Sequence, residues 1–494
     1  MMYDAPPANG DRGNRDSVNE VSTNGDLAET EVPTRAAGEP FGGLANRQVG
    51  GRAIARPGLT ERALIILMIL INMFGTPASW FTLNTGSASG PESDFLLSYG
   101  SLAIVLALLP GLVGNGDAVV RVLSAEPLMV AYFFMIGLSP VWSSSFGESV
   151  ASVVNVFALL LLAVVLLVRF TPEEIFGLTT VAFTIGIVLD LFWVFFMGSL
   201  GVDRAGDAWV GVATQKNALG HHGLLAVMVF LIAARTFRRW RVPFYVLTVA
   251  SFVLLIGSQS KTSLGAGLVT AAGFVVFLTF RARKTLAGAV TITLISGIVI
   301  TILFVTANLE EIAGRFGKDA TFTGRTPLWS AVLDAIAEKP WLGYGYDGYF
   351  GGPLSESHLI TAYAQFDWGP THAHNALFES ALHVGIPATI LLLVFMFRGV
   401  VRATNHVRWV RGPIGLFPLV YLTMITMTSI TESGIFTQRF GVTMFVIAIV
   451  MAKVGVQEAK KTGVLRLDEE RLLAREASSE RTQQLPRGLA PAGV

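Results

Sequence analysis

The chain contains no cysteine, which excludes disulfide bonds, thiolate catalysis and cysteine-ligated zinc. Charged residues are also scarce: they make up 14% of the 494 residues, whereas a soluble chain carries roughly a quarter. The formal net charge is +1, so no basic excess indicates a nucleic-acid partner. Hydrophobic residues make up 52% of the sequence, and this balance indicates a membrane protein.

Long apolar runs occur along most of the chain. A spanning helix needs about 20 mostly apolar residues, and runs such as VASVVNVFALLLLAVVLLV (150 to 168) reach that length without a charge. The sequence therefore predicts an all-α, polytopic membrane protein of about 12 transmembrane helices. The predicted spans are 62–80, 95–113, 127–141, 150–168, 178–199, 219–234, 243–258, 263–280, 285–307, 374–397, 413–430 and 435–452.

The two ends of the chain differ from this central part. Residues 1–57 are rich in Gly, Pro, Asn, Asp and Arg, a composition that predicts a disordered tail. Residues 456–494 are predicted to be a second tail, partly helical or disordered. The polytopic membrane domain is then 58–455, with a large loop at 308–373 between the ninth and tenth spans.

Arginine and lysine are distributed unevenly between the loops. The segments RTFRRWR (235 to 241) and RARK (281 to 284) fall in alternate connections, as does the arginine-bearing connection after the tenth span. Short cytoplasmic loops of membrane proteins carry an excess of arginine and lysine. Both termini are therefore predicted to be cytoplasmic, and the 308–373 loop is predicted to face outward.

Two stretches of the large loop have a recognisable pattern. In TPLWSAVLDAIAEKP (326 to 340) the residues Trp329, Val332, Leu333 and Ile336 share one helical face, which predicts a short helix. The glycine and tyrosine run GYGYDGYFGG (343 to 352) follows. Its rings suit contact with a sugar, although an irregular loop with interfacial aromatics explains the same pattern.

The cations at the predicted outer ends of spans or in the loop include Lys216, Lys261, Arg325 and Arg439. Charges at such positions need a partner or ligand, because their desolvation is unfavourable. Cations gathered on one surface suit an anionic ligand, and phosphate oxygens match the arginine fork especially well. The alternative for each of the first three is a snorkelling anchor at the membrane interface.

The segment HAHNALFESALHVG (372 to 385) holds three of the seven histidines. An unperturbed imidazole titrates near pH 6.5, so His372 or His374 could accept a proton from a sugar hydroxyl. With Asn375 at the start of the tenth helix, both would lie at its cap, where amide groups favour anions. The alternative is that both are interfacial histidines that only form hydrogen bonds with the backbone groups at the helix end. His383, inside the span, is predicted to be a packing residue.

Acidic residues provide the remaining candidates. Glu379 and Glu432 lie near the same predicted surface, where Glu432 could orient a cation. Asp190 is a lone acid deep in the fifth span, so it is either a functional group, such as a proton relay, or a paired structural acid. A metal site is weakly supported because HExxH is absent and HAH alone is a weak signal.

Several of these segments together resemble the O-antigen ligase and Wzy polymerase superfamily, including exopolysaccharide polymerases. The matching pieces are QKNALG (215 to 220), SQSKTSLGA (258 to 266), GRTPLWSAVLDAIAEKPWLGYGYDGYF (324 to 350) and HAHNALFESALHVGIPATILLLVF (372 to 395). They occur in the order of the family around one external loop. The resemblance covers roughly residues 60–455 and neither tail.

The resemblance implies a GT-C-like glycosyltransferase that moves an oligosaccharide from a polyprenyl diphosphate to an acceptor on the outer face of the cytoplasmic membrane. It implies inversion, and neither a metal ion nor another cofactor. The histidine of the family motif corresponds to His374, and the arginine of its Gly-Arg motif to Arg325. Lys261 stands where relatives commonly have arginine, and an ammonium cannot make the same bidentate contact.

The residues and the resemblance combine into one hypothesis. Arg325 and Lys261, with Lys216, hold the donor diphosphate, and His374 takes the proton of the acceptor hydroxyl. Supporting roles are predicted for His372, Asn375, Glu379 and Glu432. The implied partners are the lipid-linked donor, a glycan or lipid acceptor, membrane lipids and polysaccharide export machinery, with no nucleic acid.

Two other functions remain open at this point. Polymerases, which join repeat units, share these motifs with ligases, which attach a finished glycan to a lipid or protein. The QKNALG segment favours the polymerase. A secondary transporter or lipid-linked sugar flippase would suit twelve spans and Asp190, but paired half-repeats, typical of transporters, are not evident.

Overall fold

The computed structural model describes residues 48–49, 52–53, 57–75, 91–203, 208–213, 215–282, 325–350, 371–410, 412–433 and 439–461. All of them lie in the compact unit from Pro40 to Val494. The predicted ninth span, 285–307, and most of both predicted tails lie outside the described residues.

The described part is almost entirely helical. A short antiparallel pair, β1 (Gln48–Val49) and β2 (Arg52–Ala53), precedes the first helix. The helices are α1 (Leu59–Phe74), α2 (Pro91–Leu108), α3 (Gly116–Leu123), α4 (Pro127–Leu138), α5 (Phe146–Arg169), α6 (Pro172–Phe196), α7 (Lys216–Thr236), α8 (Arg241–Gly257), α9 (Lys261–Ala282), α10 (Arg325–Glu338), α11 (Ala376–Trp409), α12 (Phe417–Thr431) and α13 (Arg439–Lys461).

Six helices of the described part are long and apolar enough to cross a membrane, or seven if one bent pair counts as a span. The chain is therefore a multi-pass membrane protein. A helix is present at every predicted span except the ninth, which the structure does not describe. The predicted all-α membrane fold is confirmed, whereas the number twelve is not.

Local sequence signals explain where the long helices begin. Thr171 precedes α6 and forms a capping box with Glu174, in which each side chain accepts a hydrogen bond from the backbone of the other. Pro172 occupies the first helical position, where its missing N–H removes no helical hydrogen bond. The preceding helix, α5, has an uncharged apolar stretch that packs against α2 and α13.

The bent pair explains why the predicted third span is short. The segments 116–123 and 127–142 meet at 92°, with Glu126 at the break. The Glu126 carboxylate is fully buried and pairs with Arg402 of α11, and its Oε1 lies 3.6 Å from Arg398 Nη2. Because an unpaired buried carboxylate is strongly unfavourable, these arginines fix the bend to α11.

The helices α7 and α9 begin at the same end of the helix bundle. The antiparallel helices α7 and α8 pack together, and α9 contacts both α7 and α12. A Cβ added at Gly220 of α7 would lie 2.5 Å from the Cβ of Ser260, directly before α9. The first turns of α7 and α9 are therefore neighbours. The arginine-rich segment 235–241 lies at the opposite end of α7.

Helix α11 is interrupted at Gly385, whose φ of 80° and ψ of 170° are not helical. Pro387 follows and cannot donate to a helical hydrogen bond. The chain after α10 provides hydrogen-bond partners for the backbone groups that have no helical partner at the break. Tyr344 N donates to Leu382 O at 2.6 Å, and Ile386 N donates to Pro340 O at 2.8 Å.

Replacing Gly385 with alanine is expected to destabilise the protein by at least about 2 kcal/mol. The backbone has positive φ, and a Cβ there would lie 2.2 Å from the carbonyl oxygen of Trp341. The measurement is thermal unfolding in detergent. Gly265→Ala in α9 is the matched control, because its Cβ would meet nothing within 4 Å and alanine favours a helix. Equal stability of the two variants would contradict the prediction.

The predicted short helix in the large loop is confirmed as α10, although its buried face differs slightly. Val332 and Ile336 are buried as predicted, but Leu333 is 49% exposed and Leu328 is buried instead. The tyrosines after α10 also differ from the interpretation as sugar-contacting rings. Tyr344, Tyr346 and Tyr349 are all buried, so these rings are part of the packing of the protein.

Candidate functional site

The centre of the site is the carboxylate of Glu432, directly after α12. Its Oε2 accepts a hydrogen bond from His374 Nδ1 at 2.9 Å, and its Oε1 accepts one from Asn217 Nδ2 at 3.1 Å. The Nε2 atom of His372 lies 3.9 Å from the same Oε2. The imidazole rings of His372 and His374 lie 4.0 Å apart. Three separate parts of the chain therefore meet at this carboxylate.

The backbone of the histidine segment is held on several sides. His374 has a φ of 51°, which a residue with a Cβ rarely adopts. Ala373 accepts a hydrogen bond on its carbonyl from Trp329 Nε1 at 3.0 Å, which connects the segment to α10. Asn375 caps α11 by accepting hydrogen bonds from Leu377 N and Phe378 N. Such strain persists only where the surroundings impose it.

Glu379, predicted as a supporting residue, lies buried one turn into α11. Its Oε2 accepts hydrogen bonds from Ala373 N at 2.5 Å and from Ser433 Oγ at 2.9 Å. Its Oε1 lies 3.3 Å from His383 Nε2, and the His383 ring packs against Tyr346. The Glu379 carboxylate therefore binds together both backbone segments that carry His374 and Glu432. His383 is buried, in the packing position expected for it.

The two predicted lysines each begin a helix at this end of the bundle. Lys216 is the exposed first residue of α7 and directly precedes Asn217, which contacts Glu432. Lys261 is the exposed first residue of α9, and Ser260 caps that helix by accepting from Ser263 N at 3.3 Å. The amide groups of both helix starts add to the positive potential of this region.

Arg325 is the first residue of α10, the helix that carries Trp329. Its side chain lies outside what the structure describes, so only its place in the chain is known. The contact of Trp329 with Ala373 connects α10 to the histidine segment. The structure therefore brings together His372, His374, Asn375, Glu379, Glu432 and the helix start at Lys216, with the start of α9 beside α7.

Asp190 has structural partners in the described part of the chain. It is fully buried, and its Oδ1 accepts a hydrogen bond from Val212 N at 3.0 Å. Its Oδ2 lies 3.2 Å from His222 Nδ1 of α7. The carboxylate thus connects α6 to α7 and to the turn that precedes Lys216. These contacts correspond to the paired structural acid that the sequence left open.

The contact between His374 and Glu432 determines which nitrogen of His374 can act as a base. An ionised carboxylate only accepts hydrogen bonds, so the imidazole donates its Nδ1–H to Glu432. The lone pair of the neutral ring is then on Nε2. A carboxylate in this position also stabilises the imidazolium that forms when Nε2 takes a proton.

The same residues form a set of metal-ligand type. One donor atom each from His372, His374 and Glu432 lies within 4.8 Å of the other two. The sequence did not indicate this set, because Glu432 lies 58 residues after His374. Asn217 was missed for the same reason, since its contact with Glu432 spans 215 residues. Its position directly after Lys216 was the only available signal.

Comparison with known proteins agrees with the sequence motifs. Residues 246–393 match the O-antigen ligase family, Wzy_C. The chain is 28% identical over 203 residues to the exopolysaccharide production protein ExoQ of Rhizobium meliloti (strain 1021), an alignment that covers 38% of this chain and 45% of the relative. It is 24% identical over 184 residues to a protein of Rickettsia conorii that is provisionally named a polysaccharide ligase; that alignment covers 36% and 43%.

These alignments span less than half the length of either relative. The family match contains Lys261, Arg325 and His374, whereas Lys216 and Glu432 lie outside it. The family match and both relatives point to the same group of proteins, in agreement with the helical membrane fold. Residues 246–393 of this multi-pass membrane protein are therefore similar to the O-antigen ligase family, and the two relatives are named for exopolysaccharide production and polysaccharide ligation.

Proposed function

We propose that the protein is a glycosyltransferase of the cytoplasmic membrane that polymerises surface polysaccharide. It transfers an oligosaccharide from a polyprenyl-diphosphate donor to a glycan acceptor on the outer face, with both termini in the cytoplasm. The observation that carries this proposal is the hydrogen-bonded chain from Asn217 through Glu432 to His374, beside two helix starts that bear lysines.

In this proposal His374 is the general base. Its Nε2 accepts the proton of the acceptor hydroxyl while the oxygen attacks the anomeric carbon of the donor sugar. The bond from that carbon to the diphosphate oxygen breaks, and the electron pair leaves with the diphosphate. Attack opposite the leaving group inverts the anomeric centre. Glu432 stabilises the positive charge that His374 acquires.

The negative charge of the departing diphosphate needs compensation as the glycosidic bond breaks. Lys216 and Lys261 begin neighbouring helices, and the amide groups at those starts favour anions. Arg325, assigned by its family motif, provides a bidentate contact. Fixed cations in a partly desolvated site can supply the stabilisation that Mg²⁺ provides in other transferases. The proposed reaction therefore needs no metal ion.

The direct test uses the purified full chain with a polyprenyl-diphosphate-linked repeat unit as donor. We expect glycan products longer than one repeat, inverted linkage by NMR, and turnover unchanged by EDTA. Loss of turnover in EDTA would overturn the metal-free mechanism. Transport of intact donor across proteoliposomes without glycan transfer would overturn the assignment as a transferase.

A ligase is the second candidate, because one relative is provisionally named a polysaccharide ligase. A strain lacking the protein separates the two functions. If the protein polymerises repeats, single lipid-linked repeat units accumulate in that strain. If it ligates finished glycan, long lipid-linked polymer accumulates without its final acceptor. Mass analysis of the extracted lipid-linked glycans distinguishes these outcomes.

Replacing Lys261 with alanine is expected to raise KM for the lipid-linked donor by at least about tenfold, because a hydrogen bond to a charged group is lost. Lys261→Arg should keep donor binding, since the guanidinium retains the charge. The control is Lys339→Ala, which removes an exposed ammonium that follows the last residue of α10 and lies 4.0 Å over the Tyr344 ring. An unchanged KM in Lys261→Ala would contradict the assignment.

A further inference from the structure

We propose that His372, His374 and Glu432 bind a divalent transition metal of the Zn²⁺ type, and that this binding inhibits the protein. The metal site rests on geometry alone. The inhibition also rests on the proposed function, because it requires His374 to be the base. If the metal is an inhibitor, a chelator should restore turnover. If the metal were needed for turnover, a chelator would abolish it.

The distances are close to those of a tetrahedral site. Zinc bonds of about 2.0–2.2 Å place neighbouring ligand atoms about 3.4 Å apart. Glu432 Oε2 lies 2.9 Å from His374 Nδ1 and 3.9 Å from His372 Nε2, one shorter and one longer than that spacing. All three donor atoms lie within 4.8 Å of one another, so shifts of about 1 Å would bring them to bonding positions around one ion.

The donor atoms select the class of metal. Two imidazole nitrogens and one carboxylate oxygen suit Zn²⁺, Co²⁺ or Ni²⁺, whereas Mg²⁺ and Ca²⁺ prefer oxygen ligands. Three protein ligands leave a fourth position for water. Asn217 donates to the other oxygen of Glu432, and Thr371 Oγ1 lies 3.0 Å from His372 Nδ1. Each contact is made to an atom of Glu432 or His372 that would not bind the metal, and such contacts orient the ligands in many metal sites.

The metal would remove the base by changing the tautomer of His374. The nitrogen that faces Glu432 is Nδ1, and a metal can bind there only through the Nδ1 lone pair. The proton of the neutral ring then resides on Nε2, with no net gain or loss of protons by the ring. Nε2 can no longer accept a proton from the acceptor hydroxyl. Glu432 is also engaged by the metal and no longer stabilises an imidazolium.

The binding experiment titrates the purified full chain in detergent with Co²⁺, whose visible absorption reports tetrahedral nitrogen and oxygen ligation, and then displaces it with Zn²⁺. We expect one site per chain and little competition from Mg²⁺. His372→Ala and Glu432→Gln should each weaken binding at least tenfold. The control His406→Gln alters a buried histidine in the last turn of α11, at the opposite end of that helix, and should keep the affinity of the unmodified protein. Thermal unfolding without metal checks that each variant is folded.

The activity experiment measures donor turnover with increasing Zn²⁺, followed by EDTA. We expect turnover to fall as the site fills and to recover on chelation. The residual activity of His372→Ala should resist the Zn²⁺ concentrations that inhibit the unmodified protein. Equal Zn²⁺ affinity in the unmodified, His372→Ala and Glu432→Gln proteins would overturn the metal site. Zn²⁺ bound at this set with turnover unchanged or raised would keep the site and overturn the role of His374 as a metal-free base.

Discussion

Replacing His374 with asparagine is expected to lower kcat for glycan transfer by about 10²–10⁴-fold, the usual contribution of a general base. KM for the donor should change little, because the lysine contacts are untouched. Asparagine tolerates the positive φ of this position better than most residues. Its side-chain amide can still donate to Glu432, but it cannot accept a proton as a base. The variant therefore separates catalysis from folding.

The measurement is steady-state transfer by the purified full chain, with the extent of folding checked by thermal unfolding. His374→Ala serves as a second variant that removes both the base and the contact with Glu432. It should be at least as inactive as the asparagine variant and less stable. A folded His374→Asn protein with unmodified kcat would show that the proton is taken by another group.

The second large effect is expected at Glu432. Glu432→Gln should lower kcat on the order of 10²-fold or more, because a neutral amide no longer stabilises the imidazolium of His374. KM for the donor should again change little. Glu432 acts through His374, so it is a positioning residue rather than a group that touches the substrate. The chain also offers a weaker perturbation: Asn217→Ala removes the hydrogen bond to Glu432 Oε1 and leaves the carboxylate.

Two quantities are measured for the Glu432 variants: the value of kcat and the dependence of kcat on pH. With the carboxylate gone, the imidazolium form of His374 is less stable, so the rising limb of the profile should shift to lower pH. Glu432→Asp should recover part of the rate. A uniform loss of activity with an unshifted profile, accompanied by a lower unfolding temperature, would indicate that Glu432 only holds the end of α12.

The fold was predictable where apolar length decides the structure. The run at 150–168 is too long and too apolar for a loop, and it lies inside α5. The bend between α3 and α4 was not predictable, because it depends on Glu126 meeting Arg402 from a helix 276 residues away. The break in α11 at Gly385 was not predicted within the span 374–397, because the carbonyls of Leu382 and His383 find their partners only in the folded loop.

In the candidate site, too, the sequence predicts some residues but not the contacts between them. Residue type and motif pointed to His374, to Asn375 as the helix cap and to the lysines that begin α7 and α9. The contact between His374 and Glu432 depends on the packing of α11 against α12, which no local pattern encodes. From residue type alone, the tyrosines of GYGYDGY suited either sugar contact or an irregular loop with interfacial aromatics. They are buried because the chain after α10 must fill and hydrogen-bond the break in α11.

The pairing of Arg398 with Glu126 has a consequence for the depth of the site in the bilayer. An α-helix rises about 1.5 Å per residue, so the 22 residue-to-residue steps from Ala376 to Arg398 extend over at most about 33 Å. The hydrocarbon layer is about 30 Å thick. In the proposed topology, where Arg398 lies at the inner boundary of that layer, His374 would lie at the level of the outer head groups. The polyprenyl-diphosphate donor proposed above would then keep its chain in the membrane while its diphosphate reaches the histidine.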